Sequence, residues 1–430
     1  GGWGPLMVSK PHQLNTLAPA FAYPIVVYEQ VAGMDKKYIG LLHTMYRGCK
    51  GLVALAIQSG AFSGANRLRA YFTNMPDIQP LPKERCVPTA QDIIGWTRSE
   101  MPPWYQKAFP SGVFNTLNTK SLQSKASLER MGEFIKEHLV EKTKDGKGPL
   151  IDAEGVYVFK TNPVLDKQQR DEYKKHHKEI KRFNYVPKKN GLPRALKSTE
   201  RCQVMGFQKM HLDGFGNLSQ ELSTPDGAQM IGDSFDVPTM AHVLAPLKSL
   251  QEVGVVHSLG PPVGEGITVL SLFDGMSGAA AALSAAGVKV ARVIIVELEA
   301  KRIEVSRCAW SHLFPGVTKE AGTLVEHQGS IEDLVQKVVT LQYIRDLVLK
   351  KQNGISGIDL VIGGSPCKQI SGFSRRCALG LSGPDSQLFF TFSHILGWVV
   401  DAYKELAIDR ERSDLKEQLA EALRKADRSK

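Results

Sequence analysis

Short apolar runs rich in β-branched residues punctuate the chain, and the clearest, ITVLSLF over Ile267–Phe273, ends in the turn sequence DGMSG. A run of that length closed by glycines reads as a buried strand meeting a tight turn. Small helix formers follow from Ala279 to Ala286, then Gly287, then a second apolar run, VARVIIVE over Val290–Glu297, that ends in a carboxylate. A third, IDLVIGG over Ile358–Gly364, comes after a long helical pattern. Alternation of this kind predicts an α/β fold built on a doubly wound sheet. Upstream, YPIVVYEQV (Tyr23–Val31) and GLVALAI (Gly51–Ile57) have strand length and are candidates for the same sheet.

The region from Pro80 to Pro193 is poorer in strand patterns, carries Pro-rich and charged stretches, and reads as a separate, smaller domain. Glycines and two prolines between Val253 and Gly266 mark a linker. Near the end, Leu415, Leu419 and Leu423 form a stripe at helical spacing in a charged segment. Such a stripe is expected to dock on the parent domain, with a partner contact as the alternative. No apolar run approaches the roughly 20 residues that span a bilayer, so no membrane partner is expected. With 42% hydrophobic and 23% charged residues in 430, the chain has globular composition. The first residue is Gly rather than Met, from which a piece of a longer protein is expected.

A net charge of +10 favours a polyanionic partner. The excess is concentrated, since Lys160 to Lys189 holds ten Lys or Arg against four Asp or Glu. Six cysteines are scattered without a CxxC spacing, which points to a reducing compartment and to no zinc site. His176 and His177 likewise read as exposed, so no metal is expected.

Two constellations can carry chemistry. A glycine turn between strand and helix lets backbone N–H groups approach a ligand, and an acidic residue ending the next strand can bind ribose hydroxyls. Phe273, Gly275 and Gly278 fit the first role and Glu297 the second, 24 residues after Phe273. A sharp structural connection is an equal alternative. The turn is GxxG, which suits a nucleoside cofactor lacking a pyrophosphate better than NAD. The second constellation is GGSPC, Gly363–Cys367, at the ligand edge of a parallel strand, where Cys367 is a candidate nucleophile. Its thiol, with an ordinary pKa of about 8.5, needs a helix dipole or nearby Arg to ionise. Lone cysteines are more often inert and buried, the reading kept for Cys49, Cys86, Cys202, Cys308 and Cys377.

LSLFDGMSGA (Leu270–Ala279) together with IGGSPC (Ile362–Cys367) resembles the cofactor and catalytic motifs of the DNA (cytosine-5) methyltransferases. Further pieces precede these in the chain. YEQV (Tyr28–Val31) resembles the family's Glu motif, ANRLRAYFTN (Ala65–Asn74) its Arg-x-Arg motif, STERCQVMGF (Ser198–Phe207) its penultimate motif and GDSFDVP (Gly232–Pro238) its last. GLSGPDSQLFF (Gly380–Phe390) adds to the match. That rotated order is the hallmark of the plant-type domains rearranged methyltransferases, and the resemblance runs from about Phe21 to Trp398.

The resemblance implies a circularly permuted, Rossmann-like methyltransferase sheet with a smaller target-recognition domain. Residues 1–79 would hold the Glu and Arg-x-Arg motifs, 80–193 the recognition domain, 194–252 the closing motifs, 253–266 the linker, 267–400 the cofactor-binding half with the Pro-Cys loop, and 401–430 a charged terminal helix. It implies de novo type transfer of a methyl group from S-adenosylmethionine, leaving S-adenosylhomocysteine, to C5 of cytosine in double-stranded DNA. Cys367 would attack a flipped-out base from a loop stiffened by Pro366, Glu29 would act as the acid, and Arg69 would contact the base or buttress the site. Phe273, Asp274, Gly275, Met276, Ser277, Gly278, Glu297, Leu298, Ser330, Ile331, Ser234 and Val237 would form the cofactor pocket. Arg67, Lys368, Arg375, Arg376, Lys181 and Arg182 would meet DNA. A nuclear location and a homodimer, or a heterodimer with a related methyltransferase, are also implied.

Three positions depart from the pattern: Gln30 stands where Asn normally holds the Pro-Cys loop, Ser330 where an acidic residue often contacts adenine, and Asp233 where Asn precedes Ser234. They keep open a catalytically silent paralogue that binds DNA or an active partner. A methyltransferase acting on transfer RNA is a second alternative. An NAD oxidoreductase is the third, and it leaves Pro366, Cys367 and Glu29 unexplained.

Overall fold

A computed structural model describes residues 24–31, 52–81, 92–93, 114–115, 186–188, 191–194, 196–208, 225–252, 266–330, 340–349, 357–365 and 384–428. In chain order the elements are β1 (Ile25–Val31), β2 (Val53–Gln58), β3 (Ala65–Asn66), β4 (Leu68–Thr73), β5 (Phe114–Asn115), β6 (Val186–Lys188), β7 (Gly191–Arg194), α1 (Ser198–Val204), α2 (Pro225–Asp233), α3 (Val237–Glu252), β8 (Ile267–Leu272), α4 (Gly278–Ala285), β9 (Val290–Glu297), α5 (Ala300–Leu313), β10 (Leu324–Gln328), α6 (Leu341–Leu349), β11 (Leu360–Gly363) and α7 (Pro384–Arg428).

Seven strands form one sheet in the order β10-β9-β8-β11-β1-β4-β2. Neighbours from β10 through β1 are parallel, and β4 runs antiparallel to β1. The apolar runs of the sequence are its centre. Every residue of β8 and β11 is buried, as a parallel strand covered on both faces requires. Side chains alternate between faces. Val26, Tyr28, Phe72, Leu270, Leu272, Ile294, Val296 and Val361 join one cluster with Ile344 and Leu347 of α6 and Phe389, Phe392, Ile395, Leu396 and Val399 of α7. On β10, Val325 packs on that cluster and His327 meets Tyr343 of α6, whereas Glu326 points to the other face and pairs with Arg307 of α5 at 3.4 Å. Helices therefore cover both faces, the doubly wound arrangement of a Rossmann-like methyltransferase fold.

The sheet belongs to a compact unit comprising Gly1–Ile57, Arg69–Pro80 and Met240–Lys430; Gln58–Leu68 with Leu81–Thr239 form a second. The segment expected to close the methyltransferase fold, 194–252, is thus divided at Thr239. The sheet's strand order reverses beside β8, because the chain leaves β8 toward β9 and β10 and returns to β8's other side as β11. Such a switch point opens a crevice at the carboxyl ends of the strands. Gly363 permits the close pairing there, since a Cβ at that position would lie 2.6 Å from the Leu272 carbonyl oxygen.

The terminal region differs from expectation in one respect. Residues 384–428 form one continuous helix whose first half is docked and whose second half is not: Leu415 and Leu419 are 58% and 62% exposed. Their stripe does not pack on the parent domain, because the docking face of α7 ends near Leu406, the last of its residues packed on the core.

Candidate active site

β1 delivers two consecutive residues to opposite sides of the sheet. Tyr28 is fully buried, its ring 4.7 Å from that of Phe392 and 5.5 Å from that of Phe389 between centroids. Its hydroxyl lies 2.6 Å from Ser365 Oγ, at the end of β11. Gln30, on the same face, donates from Nε2 to the Tyr28 hydroxyl at 3.0 Å and to Ser365 Oγ at 3.4 Å. The strand carrying Glu29 is thereby fastened to the residue two positions before Cys367 in the sequence. The longer Gln side chain, in the place expected for Asn, reaches this junction. Pro366 and Cys367 themselves, with Ile331, Lys368, Arg375, Arg376, Lys181, Arg182, His176 and His177, lie outside the described residues.

Glu29 points to the other face, where the antiparallel register sets it opposite Tyr71 and sets Arg69 opposite Val31. This diagonal brings Arg69 Nε within 3.0 Å of Glu29 Oε1, with side chains only 13% and 7% exposed. In so dry a setting the pair fixes the carboxyl group's direction more firmly than a surface ion pair would.

The turn after β8 has left-handed backbone at Phe273, Gly275 and Ser277, with φ of 59°, 58° and 59°. Two of the three are not glycine, and such strain persists only where surrounding contacts enforce it. Asp274 supplies them. Its buried carboxylate accepts hydrogen bonds from the hydroxyls of Ser271, Ser277 (2.6 Å) and Ser306 and from Trp310 Nε1 at 3.1 Å. The side chains of Asp274, Met276 and Ser277 thus turn inward, and Phe273 and Gly275 remain half-buried. A Cβ at Gly275 would meet only the Phe273 carbonyl oxygen, at 3.9 Å, so that face of the turn is open.

Glu297, ending β9, joins the neighbouring loops. Its Oε2 accepts the Gly275 N–H at 2.9 Å, its Oε1 the N–H of Leu298 at 2.8 Å, and its backbone carbonyl the N–H of Gly329. Burial raises its pKa despite these amides and nearby Arg302. Leu298 beside it is 58% exposed, and Ser330 follows Gly329 at the end of β10. The turn, Glu297, Leu298 and Ser330 therefore gather at one edge of the sheet, an arrangement that suits a nucleoside with a short polar tail.

Within the second unit, the predicted residues form a buried polar knot. Arg67 is 3% exposed and donates from Nη1 to the Gly232 carbonyl at 2.5 Å. Arg67 thereby braces the last motif. Ser63 Oγ donates to Asp236, which also caps α3 through the Thr239 N–H at 3.2 Å and accepts the Thr239 hydroxyl at 2.5 Å. Burial lifts the Asp236 carboxyl to about 6, against opposing hydrogen bonds from Ser63 and Thr239 and the charge of Arg67. Val237 is buried, and Ser234 Oγ is buried without a hydrogen-bond partner among the described residues. An orphaned buried hydroxyl of this kind fits a polar ligand group.

Sequence reasoning missed Tyr28 and Ser365 as the junction, although both stand inside the quoted motifs. It also missed Ser306 and Trp310, whose helix shows no local sign of a carboxylate partner. Among the described residues, no group of three or more His, Cys, Asp or Glu is placed to hold a metal ion, and no helix is long and apolar enough to cross a membrane.

No family model matches the chain. It is 29% identical over 398 residues to DNA (cytosine-5)-methyltransferase DRM1 of Arabidopsis thaliana, covering 91% of this chain and 52% of that protein. Against DNA (cytosine-5)-methyltransferase DRM2 of Oryza sativa subsp. japonica the identity is 27% over 387 residues, covering 89% and 52%. A third relative, from the same rice, is named "Probable inactive DNA (cytosine-5)-methyltransferase DRM3", with 23% identity over 83% of this chain and 44% of that protein. The chain spans about half the length of the curated relatives it matches. With its fold, its strand-end site and this similarity over about nine-tenths of its length, the chain is a homologue of the plant domains rearranged DNA (cytosine-5) methyltransferases.

Proposed function

We propose that this chain is the catalytic part of a DNA (cytosine-5) methyltransferase of de novo type, with the family's motifs in circularly permuted order. The observation that carries the reading is the hydrogen-bonded junction of Tyr28, Gln30 and Ser365, which draws the Glu29 strand and the start of the Pro-Cys segment together.

Cytosine C5 is too poor a nucleophile to take a methyl group unaided. The Cys367 thiolate adds to C6, and the ring electrons displaced toward C5 are balanced by a proton or hydrogen bond that Glu29 gives at N3. S-adenosylmethionine supplies the electrophilic methyl, which C5 takes. A base then removes the C5 proton, and expulsion of the thiolate restores the C5–C6 double bond. Arg69 holds Glu29 in direction. Phe273, Gly275, Glu297, Leu298, Ser330 and Ile331 would hold the adenosine, and Ser234 and Val237 the methionine end, while Asp274, Met276, Ser277 and Gly278 shape the turn. Flipping the base costs a few kcal/mol, offset by phosphate contacts for which Lys181, Arg182, Lys368, Arg375 and Arg376 are candidates. The substrate implies a nuclear location. A homodimer or a heterodimer with a related methyltransferase is part of the same reading.

The deciding experiment is transfer of labelled methyl to duplex DNA, with structured RNA as competitor. Incorporation into DNA that falls at least about 10³-fold in Cys367→Ser supports the proposal. Preference for RNA would move the activity to the alternative substrate. The name of the rice DRM3 relative keeps a silent paralogue in view. Purified wild type that transfers nothing, alone or with an active methyltransferase, yet binds DNA would favour that second reading.

A further inference from the structure

We propose that Ser330 makes the nucleoside pocket indifferent to the substituent at the purine 6-position, so that the site takes inosyl as well as adenosyl forms of its ligand. This rests on the cofactor class proposed above and concerns the base edge alone.

Three strand ends lie side by side where the sheet runs β8, β9, β10. Neighbouring strands stand about 4.8 Å apart, so the turn after β8, Glu297 at the end of β9 and the end of β10 form a row about 10 Å long. Hydrogen bonds stitch the row together. Phe273 donates its N–H to the Val296 carbonyl at 2.9 Å, Gly275 its own to Glu297 Oε2 at 2.9 Å, and Gly329 its own to the Glu297 carbonyl at 3.0 Å. All of these residues belong to one compact unit.

The order of the row distributes a nucleoside along it. The open backbone at Gly275 suits the polar tail, and the carboxylate ending the next strand suits the ribose hydroxyls. The base then falls at the third position, the end of β10. Leu298, 58% exposed at the same edge, offers apolar surface to a purine ring. Gly329 turns the chain with a φ of 143°, and half-buried Ser330 is the first side chain beyond that turn. The carboxylate of β10 itself is directed elsewhere, since Glu326 points to the opposite face and pairs with Arg307 and Lys319. A hydroxyl is therefore the group that β10 brings to the edge of the base.

A hydroxyl both donates and accepts, whereas an ionised carboxylate only accepts. By rotating its proton, Ser330 can accept from the 6-amino group of adenine or donate to the 6-oxo group of hypoxanthine. A carboxylate in its place would set oxygen against oxygen when the 6-oxo base is bound, an unpaired contact in a half-buried site. Glu297 and the turn meet the ribose and tail, which the two nucleosides share. Discrimination between them is left to Ser330.

Isothermal titration calorimetry of the full chain with S-adenosylhomocysteine and S-inosylhomocysteine tests this, because the two thioethers differ only in the base. Wild type is expected to bind both with dissociation constants within about threefold of each other. Ser330→Asp is expected to retain the adenosyl compound and to weaken the inosyl compound at least about tenfold, with unchanged circular dichroism. A wild type that prefers the adenosyl compound by about tenfold or more overturns the proposal, whatever Ser330→Asp does to the fold. A folded Ser330→Asp that keeps the wild-type ratio overturns it as well. Binding of neither compound overturns it together with the cofactor class, whereas rejection of the inosyl compound alone leaves that class standing.

Discussion

The smallest unit of the account is the Tyr28 hydroxyl. Tyr28→Phe keeps the buried ring and removes the hydrogen bonds to Ser365 and Gln30, so stability is expected to fall by about 2 kcal/mol in urea unfolding. Methyl transfer should fall further, because Ser365 loses the contact that fastens its loop. An unchanged transfer rate in the folded variant would mean that the junction positions nothing. Glu29→Gln removes the acid and weakens the Arg69 pair, with an expected fall of about 10²- to 10⁴-fold in kcat and little change in cofactor affinity. Asp274 behaves differently. Its carboxylate gathers four donors in a buried pocket, so Asp274→Ala leaves several unsatisfied and should cost about 2–4 kcal/mol together with cofactor binding, read by thermal shift with and without S-adenosylhomocysteine. The residues proposed to carry the chemistry were named through the motifs whose resemblance they carry. Trp310 and Ser306 were not, because a donor reaching a carboxylate 36 or 32 residues earlier leaves no local trace.

Among elements, the ones visible in sequence were the strands buried on both faces. β8 and β11, and the inner stretches of β9 and β1, read as apolar runs because they are buried on both faces. β10 and β4 were not recognised. LVEHQ at the sheet edge alternates and is half polar, and LRAYFT contains the Arg that completes the site. The strand ending at Phe273 was expected one residue too long, since only the backbone discloses its left-handed φ of 59°. The start of α3 carries a pH signature. Asp236 has a carboxyl raised from 3.8 to about 6, so the folded state holds its proton more tightly than the unfolded one. Its contribution is then most favourable below about pH 4 and is lost as pH rises through 6, a difference of about 3 kcal/mol. Relative to wild type, Asp236→Asn should therefore gain stability between pH 4 and pH 7 in parallel urea titrations. A difference that is flat with pH would contradict the burial argument.

For the whole molecule, chain order and spatial order diverge. β1 comes first in sequence yet sits between β11 and β4, and the last four sheet strands fill the positions from β10 to β11. The motifs are scattered along 430 residues, but the sheet returns the Glu29 strand to the end of the strand that leads to Cys367. Alternating strands and helices made that sheet legible. The release of α7 from its own domain depended on long-range packing that no window of sequence contains. The central claim is that Cys367 forms a bond to the target base at a site completed by Glu29. Incubating the protein with S-adenosylmethionine and duplex DNA containing 5-fluorocytosine blocks removal of the C5 substituent, so the adduct persists and its peptide can be mapped by mass spectrometry. One modified cysteine, Cys367, is expected, with slower adduct formation in Glu29→Gln. No adduct under conditions of methyl transfer, or an adduct on any other cysteine, would contradict it.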